Sequence, residues 1–190
     1  MKTVTSVADT FRQFTAWLEA ERGAQVRLIG LLENGFEGWL KLELFGWLVA
    51  QGLTANVDVG LEYKVSLDQR RRDIDREKKC CDLWVRGPTG NRFHYVELKA
   101  PFCNGNTGKV LKSAANDFWY MARLRGEFER AATGSIIVLG VGFGERGWDD
   151  ARTTVRTAAG LAADFNVAGE GTLTPRVRWD VWTHSYAGDG

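Results

Sequence analysis

The chain has 190 residues, of which 44% are apolar and 26% are charged, and these values are typical of one globular domain. The formal net charge of +1 neither requires nor excludes a nucleic-acid partner, because a local basic surface can exist on a nearly neutral molecule. No apolar run approaches the roughly 20 residues of a membrane-spanning helix, and three cysteines form no disulfide framework. We therefore expect a cytoplasmic protein without a membrane partner.

Two helices are predicted at the start of the chain. Apolar residues repeat at helical spacing from Val7 to Leu18, and this helix is expected to end near Gly23. A second helix is expected over about 36–50, because Gly52 follows its apolar residues.

Strands are predicted where the period changes to two. Apolar and polar residues alternate strictly over about 57–65, and a Gly-Pro-Thr-Gly-Asn turn separates two β-rich runs that are typical of a hairpin. The further expected elements are hairpin arms at about 79–86 and 91–99, helices at about 110–130 and 149–163, and strands at about 135–143 and 176–183. The run from Arg70 to Lys79 mixes basic and acidic residues and is expected to be a solvated loop.

This order of elements predicts a single α/β domain over residues 1–190. A central mixed β-sheet is expected between helices, with an N-terminal helical extension at 1–34 ahead of a core at 35–187. The continuously apolar strand at 135–143 is expected to lie inside the sheet, covered on both faces.

The hairpin carries charged residues where a sheet usually buries apolar ones. Because side chains alternate along a strand, Glu97 and Lys99 are expected on one face. The partner arm is expected to turn Cys81, Leu83 and Val85 to the apolar face, so that Asp82 points with Glu97. The two carboxylates and the carbonyl of Leu98 are ligands that suit Mg²⁺. Mn²⁺ shares this preference for oxygen and is expected to substitute.

Lys99 is expected beside the water of such a metal site. There an amine can act as a base or hold hydroxide for attack. A metal-activated water aimed at phosphorus is the apparatus of phosphodiester hydrolysis.

These residues resemble the motif of the PD-(D/E)XK nuclease superfamily. Asp82 is followed by 14 residues and then by Glu97-Leu98-Lys99, on the second and third strands of a helix-strand-strand-strand-helix-strand core at about 36–143. Cys81 replaces the proline that precedes the aspartate in the family. The resemblance implies a restriction-endonuclease-like fold, metal ligation by Asp82 and Glu97, and assistance to the water by Lys99.

The family often adds a glutamate from the helix ahead of the first strand. Glu37 and Glu43 are the candidates, and we favour Glu37 because it shares a helix face with Leu40 and Leu44.

The expected function is therefore that of a Mg²⁺-dependent endonuclease acting on nucleic acid, with DNA as the favoured substrate. The alternative is a non-catalytic nucleic-acid-binding or protein-interaction module of the same fold. The sequence contains no evident targeting domain. Recognition could then come from loops of the fold, from a homodimer or from a partner protein.

Overall fold

The computed structural model describes residues 2–29, 31, 36–67, 79–89, 91–104, 107–122, 124–125, 131–159 and 165–186. Within these ranges, the chain forms four helices and seven strands. The elements are α1 (Val7–Ile29), α2 (Phe36–Ala50), β1 (Val59–Leu67), β2 (Lys79–Arg86), β3 (Phe93–Lys99), α3 (Thr107–Met121), β4 (Leu124–Arg125), β5 (Ala131–Val141), α4 (Glu145–Ala159), β6 (Asn166–Thr174) and β7 (Val177–Ser185).

The strands form one mixed sheet in the order β4-β1-β2-β3-β5-β7-β6. β3 and β5 run parallel, and every other neighbouring pair is antiparallel. β4 is an edge strand of only two residues. The prediction of an α/β domain with a central mixed sheet and flanking helices is thus confirmed.

Each face of the sheet is covered by two helices. Apolar side chains of α1 and α2 pack on one face, where Phe14, Leu40 and Leu98 belong to the same buried cluster. Those of α3 and α4 pack on the other face in a second cluster, to which Phe118 and Trp148 belong. The parallel pair β3–β5 lies between these layers, which explains why β5 is apolar almost throughout.

Several helix ends differ from the predicted ones. α1 continues past Gly23 to Ile29, because one glycine weakens a helix by only about 1 kcal/mol, and Val26 and Ile29 bury side chains beyond it. α3 ends at Met121 rather than near Arg130, and the chain then forms β4. Residues 68–78, which hold most of the mixed charged run, lie outside the described residues.

β6 is not among the predicted strands, and it contains two glycines and few apolar residues. Its Gly171 faces Trp179 of β7, and a Cβ at this glycine would come within 2.6 Å of the indole. The indole of Trp179 on β7 therefore covers β6 at a position where β6 has no side chain of its own. No apolar alternation remains in β6 itself to reveal it.

His94 of β3 joins the N-terminal segment to the sheet. Its Nε2 lies 2.9 Å from the carbonyl oxygen of Val4, and its Nδ1 lies 2.8 Å from the hydroxyl of Thr133. A carbonyl can only accept, so Nε2 carries the proton and Nδ1 of the neutral ring accepts from the hydroxyl. Burial lowers the pKa of His94, and the hydrogen bond to Val4 offsets this only in part.

None of the described helices combines the length and the apolar character needed to cross a membrane.

Candidate active site

Asp82 and Glu97 lie where the ladder between β2 and β3 ends. The register runs from Arg86↔Phe93 to Leu83↔Val96, and Asp82 and Glu97 are the next residues on each strand. Beyond this point the N–H of Leu98 donates to a carboxylate oxygen of Asp82 at 2.9 Å. The carboxylate of Asp82 thus accepts a hydrogen bond from the backbone of β3 in place of a backbone carbonyl. The candidate site lies at this open end of the hairpin.

Lys99 is surrounded by carboxylates from three elements. Its Nζ lies 3.0 Å from Oε1 of Glu97 on β3 and 3.2 Å from Oδ2 of Asp117 on α3. Oε1 of Glu37 on α2 is 3.7 Å away. The side chains of Glu97 and Asp117 are each only 7% exposed, whereas that of Glu37 is 41% exposed. Lys99 is therefore the common partner of carboxylates from two helices and one strand.

A second lysine contacts Asp82 from the other side. Nζ of Lys41 on α2 lies 3.2 Å from Oδ1 of Asp82 and also forms an ion pair with Glu62 of β1. Asp82 therefore receives the backbone N–H of Leu98 on one oxygen and an ammonium group on the other.

The two glutamates of α2 have different surroundings. Glu37 reaches Lys99, as described above, whereas Glu43 lies 3.4 Å from Nε of Arg22 on α1. The structure thus brings Glu37 to Lys99, which also pairs with Glu97, and it places Glu43 at the packing of α1 against α2. The function of either glutamate stays a prediction.

The face of β2 changes at Asp82, which corrects one expectation. Leu83 belongs to the cluster under α1 and α2, but Cys81 belongs to the cluster under α3 and α4. Burial raises the pKa of the Cys81 thiol, and the charges of Glu97 and Asp82 raise it further. Cys81 therefore packs in the apolar cluster on the opposite face of the sheet from Leu83.

The charges of the site alter the pKa values of both lysines in the same direction. Burial alone would lower the pKa of Lys99, but the charges of Glu97 and Glu37 outweigh it, and the pKa is raised. Asp82 also acts on Lys99 by its charge. For Lys41, burial is likewise outweighed, by hydrogen bonds and charges of Glu62 and Asp82. Both amines are therefore ammonium groups at neutral pH.

Carboxylates outnumber cations in this cluster. Among the described residues, the ion pairs of Lys41 and Lys99 join two ammonium groups to five carboxylates, which leaves three negative charges in excess. An excess of carboxylate oxygen suits a hard divalent cation.

Three members of the cluster escaped the sequence analysis. They are Lys41, Glu62 and Asp117. Asp117 shares the apolar stripe of α3 with Ala114, Phe118 and Met121. A buried acid within such a stripe is a signal that could have been found from the spacing alone.

Within the described ranges, no group of three or more His, Cys, Asp and Glu side chains is arranged to hold a metal ion. The predicted ligand set has two carboxylates and one backbone carbonyl, so metal binding at Asp82, Glu97 and Leu98 stays a prediction. Comparison of the chain with protein-family models, with curated proteins and with solved structures gave no match.

Proposed function

We propose that this chain is a metal-dependent nuclease of the PD-(D/E)XK type that hydrolyses phosphodiester bonds of nucleic acid, with DNA as the favoured substrate. The observation that carries the proposal is the position of Asp82, Glu97 and Lys99. The two carboxylates stand at the open end of one hairpin, and Lys99 is ion-paired to Glu97 at 3.0 Å.

The surrounding elements support a restriction-endonuclease-like core. α2, β1, β2, β3, α3 and β5 follow in the order that the resemblance implies, with the two-residue β4 inserted before β5. The site lies on β2 and β3 of this series, with Glu37 supplied by α2. The positions of the motif residues, of their two strands and of the preceding helix therefore all match what the resemblance implies.

The donor set fits a hard cation such as Mg²⁺. Asp82, Glu97 and the carbonyl of Leu98 would hold it, and the excess negative charge of the cluster would favour it. When bound, Mg²⁺ lowers the pKa of water and offsets the negative charge of a phosphodiester.

Lys99 contributes as a cation. The raised pKa of Lys99 favours the ammonium form, which can donate hydrogen bonds but cannot take a proton. Of the roles considered for this lysine, orienting a water or stabilising charge on phosphate oxygens therefore suits its surroundings better than general-base catalysis. The ammonium group of Lys99 is held in position by its ion pairs with Glu97, Asp117 and Glu37.

Incubation of the purified chain with nucleic acids of different structure tests the proposal. Supercoiled, linear, branched and single-stranded DNA, and RNA, are each incubated with Mg²⁺, Mn²⁺ or EDTA. We expect cleavage with either metal and none with EDTA. The Lys99→Ala variant is expected to lose about 10²- to 10³-fold in single-turnover rate, the usual loss when one group that stabilises transition-state charge is removed. Asp150→Asn, which changes an exposed acid on α4, serves as the control that should cleave like the wild type.

Two outcomes would reject the enzyme. Cleavage that persists in EDTA would end the metal-dependent mechanism. Binding of nucleic acid with no turnover under any metal would instead favour the non-catalytic module, and Lys99→Ala would then weaken binding with a smaller salt dependence.

A further inference from the structure

Lys41 places a fixed positive charge at one of the two carboxylates expected to hold the metal. It follows Glu37 by one helical turn, so α2 turns both side chains toward the sheet. The ammonium group lies 3.2 Å from Oδ1 of Asp82 and is ion-paired with Glu62 on its other side. One carboxylate of the site therefore already has a built-in cation.

The backbone of β1 is adapted to this contact. Glu62 has a φ of 54°, in the left-handed region that residues with a side chain rarely adopt. The paired positions Leu61↔Leu83 and Tyr63↔Cys81 flank Glu62 and Asp82 on the two strands, and both carboxylates contact Lys41. Like charges on neighbouring strands repel each other, and the ammonium group that they share offsets this repulsion.

We propose that Lys41 is the permanent counter-ion of Asp82 and that it restricts the site to a single divalent cation, held on the side of Glu97. This role rests on the proposed nuclease function. Each oxygen of Asp82 already accepts one hydrogen bond, from Leu98 N–H or from Lys41. A second divalent cation bridged by Asp82 would share Oδ1 with the ammonium group and would be repelled by it.

Metal stoichiometry and affinity test this role without relying on activity. Mn²⁺ binding is measured by titration calorimetry and by electron paramagnetic resonance. We expect one ion per wild-type chain. Lys41→Met removes a like charge a few ångströms from the ion, so it should bind the first ion about tenfold more tightly. It should also gain a weaker second ion between Glu62 and Asp82.

Two further variants separate charge from folding. Lys41→Arg keeps the charge and should bind one ion with wild-type affinity. Lys41→Met combined with Glu62→Gln removes the repulsion that could unfold the single variant, and it should keep the tighter first site but lose the second. Lys2→Met is the control, because Lys2 contacts the carbonyl of Gln51 beyond the opposite end of α2.

The outcomes distinguish the role of Lys41 from the function itself. Two ions in the wild type, or unchanged affinity in both Lys41→Met variants, would overturn the counter-ion role while the nuclease proposal stands. A wild-type chain that binds no Mn²⁺ and cuts no nucleic acid would overturn both.

Discussion

Replacing Lys99 by methionine should lower the free energy of unfolding, because the carboxylates of the site lose a cation that they share. Among the described residues, Lys99 is the ammonium group that Glu37, Glu97 and Asp117 share. Methionine keeps a long, unbranched apolar chain, so the change removes the charge with little loss of packing. The three carboxylates then face one another without that cation.

The distances and burial set the size of the effect. Glu97 and Asp117 lie within 3.2 Å of the ammonium and are nearly inaccessible, and breaking a buried ion pair costs about 3–5 kcal/mol. Glu37 is 41% exposed, so its contact contributes at most about 1 kcal/mol. We therefore expect the free energy of unfolding at neutral pH to fall by about 3–5 kcal/mol, which lowers Tm by roughly 6–20 °C for a chain of this size.

Urea unfolding with and without Ca²⁺ measures this loss and its cause. Ca²⁺ should stabilise Lys99→Met more than the wild type, because a cation that binds only the folded state replaces the missing charge. Lys112→Met, an exposed change on α3, should stay within about 0.5 kcal/mol of the wild type.

A loss below about 1 kcal/mol together with an equal response to Ca²⁺ would refute this reasoning, because a buried ion pair loses more than that when one partner is removed. The carboxylates could then not all be charged and dependent on Lys99.

The remaining predictions concern α2 and the buried histidine. Glu37→Gln should weaken Mn²⁺ affinity or turnover more than Glu43→Gln, since only Glu37 contacts Lys99, and the reverse order in a metal titration would assign the role to Glu43. The free energy of unfolding should fall as the pH drops below 6.5, because the folded-state pKa of His94 is lower than this ordinary value and the unfolded chain takes up the proton first. Urea unfolding at about pH 7.5 and about pH 5.5 should show a smaller difference for His94→Gln than for the wild type, and equal differences would contradict it.

The parts of the site that could be predicted depend on local periodicity. Two-residue alternation correctly placed Glu97 and Lys99 on one face of β3, because strand geometry is fixed by the backbone alone. Helical spacing likewise turned Glu37 toward the sheet. Neither inference needed to know how the helices pack.

The parts that could not be predicted depend on long-range packing and on an unusual backbone. Helical spacing can mark Asp117 as a buried acid, but its contact with Lys99 depends on α3 crossing the same face of the sheet. The change of face at Cys81 accompanies the left-handed conformation of Glu62 on the neighbouring strand, and glutamate gives no sequence signal for that conformation. Alternation was therefore reliable up to Asp82 and failed beyond it.

Buried carboxylates elsewhere in the described fold are paired with arginine and not with lysine. Asp58 meets Nε of Arg86 at 3.0 Å and the backbone N–H of Thr54, while Asp180 receives the guanidinium of Arg152. A guanidinium stays charged at any pH at which the protein is folded, and it binds a carboxylate in a fixed geometry. Both properties suit a permanent structural ion pair. Arg152 also pairs with Asp149 and Glu170, but the candidate site gathers its carboxylates around lysines, which are compact charges on flexible stems. An arrangement that leaves anionic charge only partly neutralised lowers the stability of an empty site, and this loss is recovered when a cation binds. The use of lysines, rather than an excess of carboxylates alone, thus distinguishes the candidate site from the guanidinium pairs of the same molecule.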